Sequence, residues 1–422
     1  MKVAFFGYAW NTALQPDAYM TETFQSLAQA GADVDVFLGN HLSEEYGIYG
    51  VNEKMPLGKL RAALEEEGYD AAIAFNNSMI LPELAGAIRG KTVSVIVDAP
   101  EHLFDYHRTG PYEPMRGDDI EIVAMSSVLE RQLIEAIPGV QPRMHFMLPA
   151  THIDLGARSV KAAYPISWVA SYVGDLNLDQ YLKLVTERPD FMALTQRCLE
   201  VVARDGDLAS VRAENGADAA LIGSLPWSFD YFQAQMQNIL TNRSRVEVVE
   251  RLAPYGLALF GNAGWQKLLT HNAAVMAALQ SGPALTAHAD LRRVYNASRI
   301  SINLPQAHVP QDAVQYRVID VLGSNALMIT KHCPTSDLYR VFGQDCPIPT
   351  YSDLAELEAK CAHYLANEKE RRALVVACNA LVATGFTFLE RARTFLRIAG
   401  LNPPPRASAG QVRRIDLRLL MN

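Results

Sequence analysis

Over the first 150 positions apolar residues gather in short runs more than in alternations. They are "KVAFFG" (2–7), "VDVFLG" (34–39), "DAAIAFN" (70–76), "TVSVIVD" (92–98), "IEIVAMS" (120–126) and "MHFMLP" (144–149). A strand with one wet face alternates, whereas a parallel strand covered on both faces is apolar throughout. Helix signals lie between the runs. Pro16 and Asp17 open one helix and Gly31 closes it; Pro56 opens another and Gly68 closes it. Repeated β–α units of this kind predict a doubly wound parallel sheet.

The pattern restarts after the linker "THIDLGARSVKAAYP" (151–165). "SWVASYVG" (167–174) reads as a new first strand, and 176–252 as helical and polar with a loop at "ENGAD". Strands return at "GLALFG" (256–261), "RISINL" (299–304), "ALMIT" (326–330) and "CPIPTY" (346–351). Asp353 opens a helix with Glu356 three residues on, a capping box, and two more helices are expected over 368–383 and 386–398. The chain thus divides into two α/β domains, 1–160 and 165–385, followed by a helix and a tail over 386–422 that contains the extended "NPPPRASAGQ". Ligands of such sheets bind beyond the carboxyl ends of the strands, so the cleft between the domains is the expected site.

Composition narrows the classes. Of 422 residues, 49% are hydrophobic and 20% charged, enough for sizeable cores. A net charge of −8 argues against a general electrostatic grip on nucleic acid. Five cysteines (Cys198, Cys333, Cys346, Cys361, Cys378) without a CxxC fit a reducing compartment and give no metal framework. "MKVAFFGYAWN" reads as a first strand, and no apolar stretch approaches the ~18 residues of a membrane span. A cytoplasmic location is expected; nothing here bears on oligomeric state.

Several chemistries lose ground by motif. Neither "GYAWNTA" after the first strand nor "GDLNLDQ" after 173 carries G-x-G-x-x-G, and a Walker A loop, a G-x-S-x-G elbow and H-E-x-x-H are absent. The strand ends remain. Gly7 and Tyr8 follow the first strand, where a glycine admits close approach of a ligand or another backbone. "VDAPEHLFDYHR" places Asp98, Glu101 and His102 after a buried strand, where a carboxylate or imidazole serves as a general base or caps the next helix. "LFGNAGWQK" (259–267) sets Trp265 at a strand end, to stack on a flat ligand or to pack the rim. "INLPQAH" (302–308) offers Asn303, Gln306 and His308.

"VQYRVIDVLGSNALMIT" (314–330) is apolar except for Arg317 and Asp320 in its first half. Asp312 is placed to cap a helix over 313–323, with Val314, Val318, Val321 and Leu322 as its buried face. Arg317 and Asp320 are then neighbours at i,i+3. They either pair with each other, worth ~0.3–0.5 kcal/mol, or leave water to meet a ligand, the arginine on a diphosphate and the carboxylate on ribose hydroxyls.

In order and spacing these pieces resemble the CgeB-like glycosyltransferases, a family named after a spore maturation protein and built on the GT-B fold. The stretches that carry the resemblance are "GNAGW" (261–265), "VYNASRISINL" (294–304), "YRVIDVLGSNALMIT" (316–330) and "YSDLAELEAKCAHYL" (351–365), with "VIVDAPEHLF" (95–104) and "MLPATH" (147–152) in the first half. The resemblance implies two Rossmann-like domains facing a cleft, the donor on the second and the acceptor on the first, with the C-terminal helix and tail packing back on the first. It implies that Arg317 meets the donor diphosphate and that Asp320 stands where such enzymes keep a carboxylate for ribose or sugar hydroxyls. Gly261, Asn262 and Trp265 would line the nucleotide side, with Asn303, Gly174, Gly323 and Asn325 also on the donor side. Gly7, Tyr8 and Asp98 would face the reacting centre. The chain departs from the family in having Asp320 for the commoner glutamate, Asn325–Ala326 for a frequent Gly-Gly, and "FTFLER" (386–391) where "HTY" is common. Asparagine tolerates positive φ and so can keep the turn.

The function so implied is transfer of a sugar from a nucleoside diphosphate sugar, UDP-linked by expectation, to a hydroxyl of a protein or glycan. It uses neither metal nor resident cofactor. Charge that grows on the leaving diphosphate is met by Arg317, backbone N–H groups and a helix N-terminus. An inverting path needs a base, Asp98 first and His102 second; a retaining path needs none. A nucleotide-sugar epimerase of the same fold and a non-catalytic sugar-nucleotide-binding protein are the alternatives, and DNA glucosylation is disfavoured by the acidic charge.

Overall fold

A computed structural model of the chain describes residues 1–8, 16–38, 57–76, 78–97, 114–153, 162–174, 176–282, 285, 287–306, 312–405 and 409–415. The apolar runs form two parallel sheets. The first joins β1 (Lys2–Gly7), β2 (Asp33–Leu38), β3 (Ala71–Phe75), β4 (Thr92–Ile96), β5 (Ile120–Ala124) and β6 (Met144–Phe146) to β12 (Val412–Ile415) in the order β12-β2-β1-β3-β4-β5-β6. The second joins β7 (Tyr164–Val169), β8 (Leu257–Phe260), β9 (Ser298–Asn303), β10 (Leu327–Lys331) and β11 (Thr350–Tyr351) in the order β11-β10-β9-β7-β8. Every residue of β3 and β5 is buried, which is why β3 is apolar throughout and the one charge in β5, Glu121, is paired with Lys91 and His145.

Helices α1 (Ala18–Gln29), α2 (Leu57–Glu67) and α3 (Ser127–Ala136) belong to the first sheet's β–α units. Asp17 caps α1 by accepting from the Met20 N–H at 2.8 Å, as its position before the apolar face demands. Between β7 and β8 the chain inserts α4 (Leu176–Glu187), α5 (Pro189–Asp205), α6 (Ala209–Glu214), α7 (Ala217–Gly223) and the long α8 (Phe229–Leu252). The insert has its own core around Tyr181, Phe191, Leu194, Cys198, Phe232 and Met236. Asn215, in the left-handed region at φ 46°, makes the loop between α6 and α7. The second domain continues with α9 (Ala273–Ala278), α10 (His288–Asn296), α11 (Tyr316–Leu322), α12 (Asp337–Phe342), α13 (Leu354–Ala366) and α14 (Glu368–Val382). Asp353 caps α13 through the Glu356 N–H at 2.8 Å, and Glu356 reaches back to the Ser352 N–H at 2.6 Å.

Three local expectations change. "CPIPTY" is a strand only at Thr350–Tyr351. The helix expected over 313–323 begins at Tyr316 behind Gln315, without a side-chain cap. Asp312 lies too far upstream to cap it and accepts instead from the Thr335 hydroxyl at 2.6 Å. The tail beyond α15 (Phe388–Ile398) is not merely extended, because β12 adds to the edge of the first sheet beside β2. There Arg413 forks onto Asp35 at 2.8 and 2.7 Å, a bidentate pair that fixes the edge strand. α15 itself packs on α1, with Phe388 against Tyr19 at 5.1 Å between ring centres.

The carboxyl-side connections of the two sheets meet. Tyr19, at the start of α1, stacks on Tyr316, at the start of α11, with ring centres 4.4 Å apart. The Ser127 N–H donates to Asp337 Oδ2 at 2.9 Å, and Arg340 pairs with Glu130 at 2.7 Å. No helix among the described residues is long and apolar enough to cross a membrane.

Candidate functional site between the two sheets

In the second sheet, β7 is the first strand in sequence and lies between β8 and β9, so the direction of winding reverses between β7 and β9. At such a switch point the connections leave in opposite directions and a crevice opens at the carboxyl edge. Two arginines converge there. Arg245, on α8, donates to the Ser171 carbonyl just past β7, and its Nε has no hydrogen-bond partner among the described residues. Arg317, on α11, donates to Asn303 Oδ1 at the end of β9 at 3.1 Å and bonds the Tyr295 hydroxyl. Among the described residues neither has a carboxylate within ion-pair distance.

The pair is costly as it stands. Arg245 is 1% exposed. Burial, and then the charge of Arg317, push its pKa down to about 10. That shift amounts to roughly 3 kcal/mol against the charged form. A buried charge is ordinarily paired. Two guanidiniums that lack a carboxylate among the described residues and repel each other can receive an anion of at least two charges, and their planar donors suit phosphate oxygens.

The first sheet has its own reversal between β1 and β3. Gly7 ends β1, and an added Cβ would stand 3.1 Å from Met20 Sδ, so this glycine seats α1 against the strand. Tyr8 is buried, and Asn76, just past β3, donates to its hydroxyl at 3.3 Å. Asn76 adopts φ 52°, and its Oδ1 accepts from the Val97 N–H at 2.9 Å. The candidate bases Asp98, Glu101 and His102 lie outside the described residues, as does His308.

Of the other sequence candidates, Asn303 stands at the crevice, its Nδ2 tied to Thr330 Oγ1 at 3.0 Å and its Oδ1 to Arg317. Trp265 is fully buried, and its Nε1 donates to the Ala170 carbonyl at 2.7 Å. It is core and not a stacking platform. Gly261 is glycine because a Cβ there would meet Trp265 Cδ1 at 2.3 Å. Asn262 clamps the loop after β7, with Oδ1 accepting from the Tyr172 N–H at 2.9 Å and Nδ2 donating to the Tyr172 carbonyl at 3.0 Å. Gly174 sits in the same loop at φ 149°. Asn325 takes no positive φ; its N–H donates to Asn296 Oδ1 at 3.1 Å, so the turn is fixed by a side chain and not by left-handed backbone.

Arg317 and Asp320 do not pair. Asp320 faces the opposite way, into the linker between the domains. Its Oδ1 accepts from Thr151 Oγ1 at 2.9 Å and lies 3.0 Å from His288 Nε2. Burial lowers the His288 pKa, but the hydrogen bond and charge of Asp320 and the charge of Glu22 outweigh it, leaving a net rise. Gly323 abuts the same linker, where a Cβ would stand 2.5 Å from the His152 carbonyl oxygen. Sequence reasoning missed Arg245, Asn76, Thr151 and His288. Arg245 carried no local signal, because its helix is polar along much of its length and Glu247 lies two residues on.

Residues 235–397, from the middle of α8 through most of α15, match the model of a family described as glycosyl transferase-like. Arg245, Arg317, His288 and Asp320 all fall inside that segment. Sucrose-phosphate synthase from Thermosynechococcus elongatus superposes with a TM-score of 0.55 at 11% identity, over 94% of this chain and 98% of that one. Anabaena HepE in complex with UDP-glucose does so with a TM-score of 0.55 at 11% identity, again over 94% and 98%. The fold is GT-B. The β-glucosyltransferase of phage T4 with UDP-glucose reaches a TM-score of 0.48 at 12% identity over 95% of this chain and 100% of that one, too loose an overlay to carry anything across. No curated protein matches the chain in sequence. As the GT-B architecture requires, two winding reversals point carboxyl edges at one another, and the arginine pair sits on the second domain's side.

The tight approach of Gly323 to the linker gives a stability test. Gly323→Ala should cost ~1–3 kcal/mol by overpacking against a backbone oxygen. The check is the chemical-denaturation midpoint, and a midpoint equal to wild type would show that the linker yields.

Proposed function

We propose that the chain transfers a sugar from a nucleoside diphosphate sugar to an acceptor hydroxyl, with Arg245 and Arg317 receiving the diphosphate. The observation that carries the reading is the pair of guanidiniums without a carboxylate partner among the described residues, Arg245 buried and Arg317 half-buried, at the winding reversal of the second sheet. In the reaction the acceptor oxygen bonds to the anomeric carbon as the bond from that carbon to the phosphate oxygen breaks. The electron pair leaves with the nucleoside diphosphate, and the acceptor's proton passes to a base or to solvent. Negative charge therefore grows on the diphosphate in the transition state, where fixed cations in a dry site contribute most. The match of residues 235–397 to a glycosyl transferase-like family supports this reading. Placement within the CgeB-like branch of such enzymes rests on the sequence stretches alone. A UDP-sugar is the first donor to try, since Anabaena HepE holds UDP-glucose on the same fold. The acceptor is proposed as a hydroxyl of a protein or glycan.

Arg317→Ala and Arg245→Gln should each weaken UDP binding in calorimetry by about ten- to a hundred-fold, the worth of a charge-assisted hydrogen bond of roughly 1.5–3 kcal/mol. Unchanged affinity in folded variants would remove the pair from the donor site. No divalent cation is assigned to the diphosphate. Transfer that stops with EDTA and returns only with Mg²⁺ or Mn²⁺ would contradict that part of the reading.

For an inverting transfer the proposed base is Asp98, with His102 second, because both follow β4 closely in the chain. Asp98→Asn should slow transfer strongly while leaving UDP affinity near wild type. Wild-type turnover in that variant would assign the base elsewhere.

A further inference from the structure

We propose that Glu22, His152 and His288 bind a Zn²⁺ ion that clasps the two domains. The three residues come from separate pieces of the chain: α1 of the first domain, the interdomain linker, and α10 of the second domain. One ligating atom from each lies within 4.8 Å of the other two. His152 Nε2 is 2.8 Å from Glu22 Oε2. Ligand atoms on a tetrahedral zinc, with bonds of about 2.0–2.1 Å, stand roughly 3.3 Å apart, so this pair is near coordinating spacing.

His288 supplies an independent observation. It is 5% exposed, its Nε2 is 3.0 Å from Asp320 Oδ1, and its Nδ1 is buried with no hydrogen-bond partner among the described residues. An orphaned ring nitrogen is costly to bury. A carboxylate that holds one nitrogen of an imidazole and leaves the other free is the arrangement that orients a metal-binding histidine and fixes its tautomer. Asp320 is itself held by Thr151 Oγ1 on the same oxygen, so the orienting group is fixed from the linker. The rings of His152 and His288 lie edge to face with centres 5.1 Å apart, and Phe388 packs on both at 5.0 and 5.4 Å.

Two imidazoles and one carboxylate favour zinc over Mg²⁺ and Ca²⁺, which take oxygen ligands. Glu22 and His288 also line a cavity of about 710 Å³, together with Tyr19, Gln25, Tyr316 and Asp320. That space admits water as a fourth ligand. Because the ligands span both domains, the bound ion holds the arrangement in which Tyr19 stacks on Tyr316. The proposal is independent of the donor reading, and either can fail alone.

The test uses the full chain, stripped of metal and titrated with Zn²⁺ against a chromophoric chelator, with metal content measured by mass spectrometry. Wild type should take up one Zn²⁺ per chain and melt at a higher temperature with it. His288→Ala and Glu22→Gln should lose more than ~100-fold in Zn²⁺ affinity, and Asp320→Asn about 10–100-fold. Glu22, partly exposed on α1, is the variant that keeps the test decisive if His288→Ala misfolds. Co²⁺ in place of Zn²⁺ should give the visible absorption of a tetrahedral site in wild type and not in Glu22→Gln. Substoichiometric uptake by wild type, or stoichiometric uptake unchanged in Glu22→Gln and His288→Ala, would overturn the proposal. Calorimetry with UDP on the same variants reads the donor site separately.

Discussion

Two like charges held close, one of them fully buried, are the constraint on which the site depends. Arg245 and Arg317 each give part of their donor capacity to neutral oxygens, the Ser171 carbonyl and the Asn303 side chain. Neutral partners satisfy hydrogen bonds without cancelling charge, so the field of both cations stays directed into the crevice. The sheet order makes this possible. With β7 and β9 adjacent and their connections diverging, a helix from the insert and a helix from the β9–β10 connection reach one edge from opposite sides. The fold thus keeps an unfavourable juxtaposition that an anion of two charges relieves, and the rest of the second domain supplies the packing that offsets it.

Around that crevice, residues with the look of ligand contacts turn out to be the frame. Trp265, Gly261 and Asn262 lock the turn after β8 against the loop after β7, which sets where Ser171 and hence Arg245 sit. The motif "GNAGW" therefore acts by positioning, and its tryptophan does so from within the core. The same division runs along α11. Arg317 points to the crevice and Asp320 to the linker, less than one helical turn apart, so one short helix couples the anion site to the joint between domains.

The two sheets were legible in the sequence because parallel strands covered on both faces leave unbroken apolar runs, and nearly every run became a strand. "CPIPTY" was misleading because its two prolines are apolar without offering ladder donors, and only Thr350–Tyr351 pair. β12 could not be read, since "VRRI" joins the sheet through a bidentate ion pair with Asp35 and not through an apolar face. At the site, Arg317 stood out as a charge set in an apolar segment. Arg245 did not, because α8 is polar along much of its length and only the tertiary packing shows that this arginine is buried. His288, Thr151 and Glu22 are separated by more than a hundred residues in the chain and share no spacing that local pattern reading detects.

The shorter carboxylate at 320 also acquires a reason. Oδ1 of Asp320 receives Thr151 Oγ1 at 2.9 Å and faces His288 Nε2 at 3.0 Å, while the helix itself comes so close to the linker that position 323 has no room for a Cβ. At that separation a side chain one methylene longer would have to fold back or push the linker away, and either movement breaks one of the two contacts. An aspartate is therefore matched to a joint in which α11, α10 and the linker are drawn together. The carboxylate is here committed to the joint, where Thr151 and His288 hold it. The cost of burying it is offset by a hydroxyl and an imidazole drawn from both sides of that joint.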